Sequence, residues 1–262
     1  MRIALKVEYD GSQYHGWQAQ QSLRTVQFHL ESALSKVANH DVDVVCAGRT
    51  DTGVHATHQI VHFDTENHRS LRSWIHGTNT HLPKDVCVKQ SFNVPDTFHA
   101  RYSAVLRRYR YVIYNSSVRP ALSRSHVAWQ YRQLEHGQMH QAAQHLIGEH
   151  DFTSFRSVEC QSKTPFREIK SIKVFRQHHF VIMDIAANAF LHHMVRNIAG
   201  VLIAVGSGRQ PPEYVRQVLQ AKDRRLGAET ASPYGLYLTG VTYPESFGIP
   251  NETLGPWFLV SF

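Results

Sequence analysis

CAGRTDTGVHATHQIVH, residues 46–62, is the stretch around which the other segments of this chain can be arranged. An apolar run over Val42–Cys46 predicts a buried strand that ends at Gly48. A tight segment, Gly48–Gly53, follows, and Val54–Phe63 predicts the next strand. The two glycines allow sharp backbone geometry, and close approach by a ligand, on either side of one carboxylate. The sequence therefore predicts a strand–turn–strand unit that presents Asp51.

The residues alone leave two roles open for Asp51. Arg49 lies two residues earlier, near enough to hold the carboxylate ionised or to grip a phosphate. The alternative is a β-turn in which Asp51 bonds its own backbone. GRTDTGVHA resembles the catalytic signature of the TruA-type tRNA pseudouridine synthases, and the resemblance continues through HQIVHF. In that family the aspartate at the place of Asp51 is catalytic, whereas the place of Thr52 is often alanine.

Composition sets the class of protein. The 262 residues suffice for one large or two modest domains, and 28 Lys and Arg against 21 Asp and Glu give a net charge of +7. This balance suits a polyanionic partner without specifying RNA.

Three cysteines without C-x-x-C spacing argue against a disulfide framework or a zinc ribbon. With neither a signal-peptide pattern nor an apolar run near the ~20 residues of a membrane span, we expect a cytoplasmic protein.

The first hundred residues predict a split βαβ plan. Ile3–Tyr9 alternates apolar and polar residues like a half-buried strand, and YDGSQYHGWQAQQ then forms a loop. That loop can either offer aromatics to RNA bases or pack as an Ω-loop with Trp17 in the core. Thr25 is a plausible N-cap for a helix to Asn39, and Ser70 for a helix that ends before Pro83. With a strand over residues 86–92, the order is β-α-β-β-α-β.

A second set of elements begins near residue 104. The patterns predict strands over residues 105–114, 127–131, 169–175, 180–187 and 236–243, and helices over 134–147, 190–205 and 211–219. The residues themselves indicate an α+β fold with a large antiparallel sheet. The resemblance implies two ferredoxin-like halves that share this sheet, with helices on one face and the active site in a cleft between the halves. We expect residues 1–104 to carry the aspartate loop, and 105–262 to carry the remaining site residues.

The run Arg107-Arg108-Tyr109-Arg110-Tyr111 combines charge with aromatic rings. Strand alternation places Arg107, Tyr109 and Tyr111 on one face and the other two arginines on the opposite face. Such a strand suits phosphate contact and base stacking, although an edge strand with ordinary surface arginines fits too. RRYRYVIYN resembles the family block that supplies the active-site tyrosine, which implies that role for Tyr109. We expect Arg107, Arg108 and Arg110 to contact RNA.

Two further segments contribute candidate residues. Arg196 lies inside the otherwise apolar stretch NAFLHHMVRNIAG, and a buried charge needs a partner. A structural carboxylate would serve, but the family pairs a basic residue at this place with the catalytic aspartate, which predicts an Arg196–Asp51 ion pair. Gly235-Leu236-Tyr237-Leu238 resembles the family's closing strand, whose leucine at the place of Leu236 packs beside the target base.

Nothing in the sequence indicates a cofactor. His55, His58 and His62 have spacings that could bind a metal, but no H-E-x-x-H or paired C-x-x-C accompanies them. No Walker A or dinucleotide motif is present, so we expect neither a metal nor a nucleotide cofactor. Pseudouridine formation is an isomerisation for which one ionised carboxylate suffices, whereas a glycosidase normally uses two.

The resemblance also implies a substrate and an assembly. It implies an isomerase that acts on tRNA uridines 38, 39 and 40 in the anticodon stem-loop, and a homodimer in which both subunits hold one tRNA. Three alternatives stay open: an RNA-binding module without catalysis, a base-excising glycosidase, and a pseudouridine synthase for another RNA.

Overall fold

The computed structural model describes residues 1–253 and 255–259. Within these residues there are ten β-strands, namely β1 Arg2–Tyr9, β2 Val45–Cys46, β3 His55–Asp64, β4 Val86–Val94, β5 Leu106–Asn115, β6 Ala128–Gln130, β7 Gly148–Asp151, β8 Phe166–Gln177, β9 Phe180–Ala187 and β10 Leu236–Thr242. The described α-helices are α1 Val26–Ala38, α2 Leu71–His81, α3 His136–Ala143, α4 Met194–Gly206 and α5 Tyr214–Ala221. Most strand pairings are antiparallel, so the predicted α+β class is confirmed.

The chain forms two compact units. Unit 1 comprises Met1–Arg107 together with the described residues from Tyr237 onward, and unit 2 comprises Arg108–Leu236. The sequence predicted a boundary after residue 104 and assigned everything beyond it to the second half. The structure differs because β10 returns to unit 1, where Tyr237 pairs in parallel with His55 and Leu238 with Ala56.

Unit 1 follows the predicted split βαβ plan. Its elements run β1-α1-β2-β3-α2-β4, and its strands lie in the order β4-β1-β3-β10, with β2 also paired to β3. Helix α1 packs on α2, and α2 packs on β4. The Ser70 side chain accepts a hydrogen bond from the Ser73 N–H, as expected of an N-cap.

Strand β1 is more deeply buried than its alternating pattern predicts. Ile3–Val7 is buried on both faces, including Lys6, which is only 4% exposed. The Lys6 ammonium is 2.8 Å from the Glu252 carboxylate, in the segment that follows β10. Lys6, which the alternating pattern assigned to solvent, is therefore paired with the C-terminal segment.

The strand predicted over Val42–Cys46 contracts to Val45 and Cys46. Helix α1 is the cause, because its side chains take the backbone donors that a longer strand would need. The Val42 N–H donates to Ser35 Oγ at 2.9 Å, and the Val44 N–H donates to Glu31 Oε1 at 3.0 Å.

Unit 2 holds the strand order β5-β9-β8-β7, with the short β6 paired in parallel to β5. Helix α4 begins at Met194 instead of Phe190, because His193 adopts the left-handed conformation with φ of 63°. Helix α3 ends at Ala143, where a 3₁₀ turn takes over. Among the described residues, no helix is both long and apolar enough to cross a membrane.

Candidate active site

The loop that carries Asp51 is held by backbone hydrogen bonds from two directions. The Trp17 N–H donates to the Thr50 carbonyl at 2.9 Å, and the Gly53 N–H donates to the Tyr14 carbonyl at 3.2 Å. The Val54 N–H closes the turn on the Asp51 carbonyl at 3.1 Å. Asp51 itself is half-buried, which leaves its side chain accessible to a ligand on a fixed backbone.

Buried side chains brace the same loop from inside unit 1. The hydroxyls of Tyr9 and Thr50 are 2.8 Å apart, and Gln59 Nε2 donates to the Gly48 carbonyl at 2.6 Å. Gln59 is fully buried, and Tyr9 and Thr50 are nearly so. We call Tyr9, Thr50 and Gln59 the loop brace. Sequence reasoning missed Tyr9 and Gln59 as functional residues, although an amide inside the apolar run HQIVHF was a usable signal.

The N-terminal loop packs directly against the Asp51 loop. Gly16 has φ of +85°, and a Cβ built on it would lie 2.7 Å from the Thr50 carbonyl oxygen. A Cβ on Gly11 would lie 1.9 Å from the Val54 oxygen, so both positions need glycine. Tyr14 and Trp17 are each 1% exposed. The packed Ω-loop alternative therefore describes this segment, and these two rings are unavailable for stacking on a base.

Histidine 55 links the first residues of β3 to the N-terminal loop. Its ring stacks on Tyr237 at 4.7 Å, and its Nδ1 is 3.1 Å from both the Gly11 nitrogen and Asp10 Oδ1. Burial by itself would raise the pKa of the Asp10 carboxyl, but hydrogen bonds from His55 and Ser12 lower it well below its usual range. His55 is thus engaged in structural contacts.

The arginines of the basic run have different surroundings. Arg107 is buried, and its guanidinium donates to the carbonyls of Ala104 at 2.8 Å, Ala47 at 3.2 Å and Arg101. These donors tie segments of unit 1 together, and contact between Arg107 and RNA stays a prediction. Arg49, by contrast, is exposed beside the Asp51 loop.

In unit 2, Arg108 and Arg110 share one carboxylate. Each Nε lies 2.8 Å from a different oxygen of Asp184. They occupy the same strand face, as the alternation predicted, and both remain partly exposed. The buried Tyr109 packs edge to face on Phe190, with ring centroids 5.1 Å apart.

Arg196 and Leu236 also lie in unit 2. Arg196 is half-buried in the first turn of α4, and its Nε donates to the Ala231 carbonyl at 2.9 Å. The Ala231 N–H returns a hydrogen bond to the Arg196 carbonyl at 3.2 Å. Leu236 is 5% exposed at the start of β10. The ion pair between Arg196 and Asp51 stays a prediction.

Comparison with known proteins adds the family. A family model described as tRNA pseudouridine synthase matches residues 5–103 and 142–244. The chain belongs to this family. The matched segments of the tRNA pseudouridine synthase model include Asp51, Arg49, Arg196 and Leu236, whereas Tyr109 lies in the intervening residues 104–141.

Relatives from three bacteria agree with the family match, and all three are named tRNA pseudouridine synthase A. The protein of Legionella pneumophila (strain Corby) is 66% identical over 259 residues, which cover 99% of both chains. That of Alcanivorax borkumensis is 57% identical, covering 98% of this chain and 97% of its own. That of Coxiella burnetii (strain Dugway 5J108-111) is 55% identical, covering 98% and 99%. Members of this family are isomerases.

Proposed function

We propose that this chain isomerises uridine to pseudouridine at positions 38, 39 and 40 in the anticodon stem-loop of tRNA, and that Asp51 is its catalytic residue. Membership in the tRNA pseudouridine synthase family supports the reaction and the class of RNA. The resemblance of GRTDTGVHA to the family's catalytic signature supports Asp51, and the resemblance over nearly the whole chain supports the three positions. The proposal includes a homodimer that works in the cytoplasm.

The observation that carries the proposal is the Asp51 loop. Its backbone is fixed by Trp17 and Tyr14, and its buried side is held by the loop brace, while the carboxylate stays half-buried. A catalytic group held on a rigid backbone loses little freedom when the substrate arrives. That arrangement suits catalysis better than a turn that merely connects two strands.

The reaction conserves every atom of the base and ribose. The N1–C1′ bond of uridine breaks, the base turns, a C5–C1′ bond forms, and the proton lost from C5 is balanced by one gained at N1. Asp51 in its ionised form serves as nucleophile or base. Because a base inside a stem is stacked and paired, the target uridine must first be flipped out.

The remaining site residues receive supporting roles in this proposal. Tyr109 stacks on the flipped base, and Leu236 packs beside it. Arg196 keeps Asp51 ionised and oriented through their predicted ion pair. Arg49 contacts the phosphate backbone, as do Arg108 and Arg110, which retain a net charge of about +1 after sharing Asp184.

The first experiment compares wild type with Asp51→Asn on tRNA transcripts that carry uridine at positions 38–40. Asp51→Asn keeps the size of the side chain but removes its charge, so we expect pseudouridine formation to fall at least about a thousandfold. Binding of tRNA should stay within about threefold, since the phosphate contacts remain. Pseudouridine is mapped by chemical labelling and primer extension.

A matched control is Asp43→Asn, which removes an exposed carboxylate from the same unit and should leave the rate unchanged. Full conversion by Asp51→Asn would remove Asp51 from catalysis. Release of free uracil would point to a glycosidase, and tight binding without conversion would point to an RNA-binding module. Pseudouridine at other positions would refute the proposed target.

A further inference from the structure

Between β5 and α3, unit 2 carries an exposed group of side chains that the proposed chemistry does not use. We define the basic-aromatic patch as Arg119, Arg124, Trp129, Tyr131 and Arg132, all of which are exposed. We propose that this patch binds the phosphate backbone of the tRNA away from the target uridine. The inference rests on the proposed function, whose substrate contact it extends.

Charge is the first observation. Residues 116–134 contain three arginines and no aspartate or glutamate. Asp184 pairs with Arg108 and Arg110, but no ion pair within the described ranges engages Arg119, Arg124 or Arg132. The next acidic residue along the chain is the exposed Glu135, so the three exposed arginines still leave this stretch with a net positive charge that complements a polyanion.

Exposed aromatic rings are the second observation. Trp129 is 46% exposed and Tyr131 is 56% exposed, with ring centroids 6.3 Å apart. The indole N–H of Trp129 donates to the Ser116 carbonyl at 2.8 Å, which fixes the ring while leaving much of it open. The Arg132 guanidinium lies 5.6 Å from the centre of the Tyr131 ring. Fixed rings beside guanidinium groups are typical of surfaces that contact nucleic acid.

The position of the patch along β5 places it beyond the target base. Trp129 pairs with Tyr114, five residues along the strand from Tyr109. At ~3.3 Å per residue the two positions are about 17 Å apart. Stacked nucleotides in an A-form RNA stem lie a few ångströms apart, so this distance spans several of them. RNA held with its flipped base at Tyr109 must therefore extend several nucleotides to reach the patch.

A second copy of this chain is a less suitable occupant. If two copies met with the two-fold axis passing through this patch, the three arginines of one copy would lie close to those of the other, and residues 116–134 supply no carboxylate to offset them. Like charges brought together in this way oppose association. An RNA backbone supplies the missing negative charge.

The test is the affinity for whole tRNA, measured by filter binding across a range of salt concentrations. For Arg119→Ala/Arg124→Ala we expect about tenfold weaker binding at moderate salt, and a slope of log affinity against log salt smaller by roughly 1.5. Since the variant leaves the reacting groups in place, KM should rise and kcat should stay unchanged. The control Arg209→Ala/Arg216→Ala removes the same charge from exposed sites in the same unit and should change neither quantity.

Binding is read separately from conversion. The loss should be equal for a tRNA with cytidine at positions 38–40, so the patch can be tested even if the proposed reaction fails. Trp129→Ala should weaken binding by about tenfold, and Trp129→Phe, which keeps an aromatic face, should recover most of it. Affinity and salt slope equal to the control would overturn the inference. The inference would also be overturned if the arginine variant had a lower mass than wild type in analytical ultracentrifugation, because the patch would then be a contact between subunits.

Discussion

Thr50 directly precedes Asp51, the proposed catalytic residue, in the chain. Its hydroxyl bonds Tyr9 and its carbonyl accepts from Trp17, so its side chain and its carbonyl are both engaged one residue before Asp51. A shift of about 1 Å at a catalytic group can cost a hundredfold in rate. We therefore expect the loop brace to affect turnover more than substrate binding.

Tyr9→Phe and Thr50→Val test this expectation. Each removes one hydroxyl of the pair and should lower kcat roughly tenfold, with KM for tRNA within about twofold. Each should also lower the free energy of unfolding by about 1 kcal/mol, because a buried hydroxyl loses its partner. The double variant should be hardly worse than either single one, since the same hydrogen bond is already gone.

Tyr243→Phe is the matched control. Tyr243 is 1% exposed and donates to the Ala100 carbonyl at 2.6 Å, also within unit 1. Its loss should reduce stability to a similar extent without lowering kcat. An equal fall in kcat for Tyr243→Phe would mean that general destabilisation, and not the loop brace, controls turnover.

Candidate site residues can be picked out from the sequence where they lie in a local motif. Those whose role depends on contacts between distant parts of the chain are missed. Asp51 and Arg49 are apparent because their neighbours form a recognisable run. Tyr9 and Gln59 contact Thr50 and Gly48 only after β1 and β3 have paired. Arg107 is predicted at the surface by its charge, yet backbone carbonyls can satisfy a buried guanidinium.

Among loops and strands, the N-terminal loop and the Asp51 loop of unit 1 approach each other closely. Gly16 combines a positive φ with a position 2.7 Å, measured from a built Cβ, from the Thr50 carbonyl oxygen. A side chain there is disfavoured by the backbone conformation and by the neighbouring loop together. The two effects can be separated experimentally.

Gly16→Ala should displace the Asp51 loop and lower kcat by roughly a hundredfold, besides reducing stability by about 1–3 kcal/mol. Gly248→Ala is the control, because its φ of +66° is similar but nothing lies within 4 Å of the added Cβ. It should cost about 1 kcal/mol of stability and leave kcat unchanged. Steady-state kinetics measures kcat and urea unfolding measures stability for both variants. Equal kcat values for Gly16→Ala and Gly248→Ala would show that contact between the two loops does not control turnover.

Helices and strands are predicted correctly where the local sequence pattern agrees with the tertiary contacts of the segment. Helix α2 follows its Ser70 cap and ends two residues before Pro83, as expected. Helix α4 starts late because apolar spacing does not report the left-handed turn at His193. Strand β7 was missed, since Gly148–Asp151 lacks both alternation and an apolar run and depends on pairing with β8.

For the chain as a whole, two buried histidines on β3 make stability depend on pH. Burial lowers the pKa of His58 to about 4, and the nearby Lys6 acts in the same direction. Burial and Arg2 lower the pKa of His62 to about 4 as well. Because the unfolded chain binds these protons near pH 6.5, it is favoured as the pH falls from about 6.5 to 4. The contribution of the two neutral histidines to the free energy of unfolding is therefore complete above pH 6.5 and is lost as the pH falls towards 4.

His58→Leu should remove part of this dependence. His58 is 1% exposed and neither ring nitrogen has a hydrogen-bond partner, so leucine sacrifices no polar contact. Between pH 7 and 4.5 we expect the variant to lose about 2 kcal/mol less of its free energy of unfolding than wild type. Urea unfolding at both pH values measures this, and the exposed His68→Leu is the control. Equal losses in wild type and His58→Leu would show that His58 does not titrate on unfolding.

The division of unit 1 into two chain segments has a consequence for synthesis on the ribosome. All of unit 2 is translated between Arg107 and Tyr237, so β10 emerges only after most of the chain has been made. Until then the edge of β3 at His55 and Ala56, four residues after Asp51, has no parallel neighbour. A nascent chain must keep this edge from pairing with other polypeptides. A chain whose synthesis stops before residue 236 would thus lack β10, so its unit 1 would be incomplete and prone to aggregate.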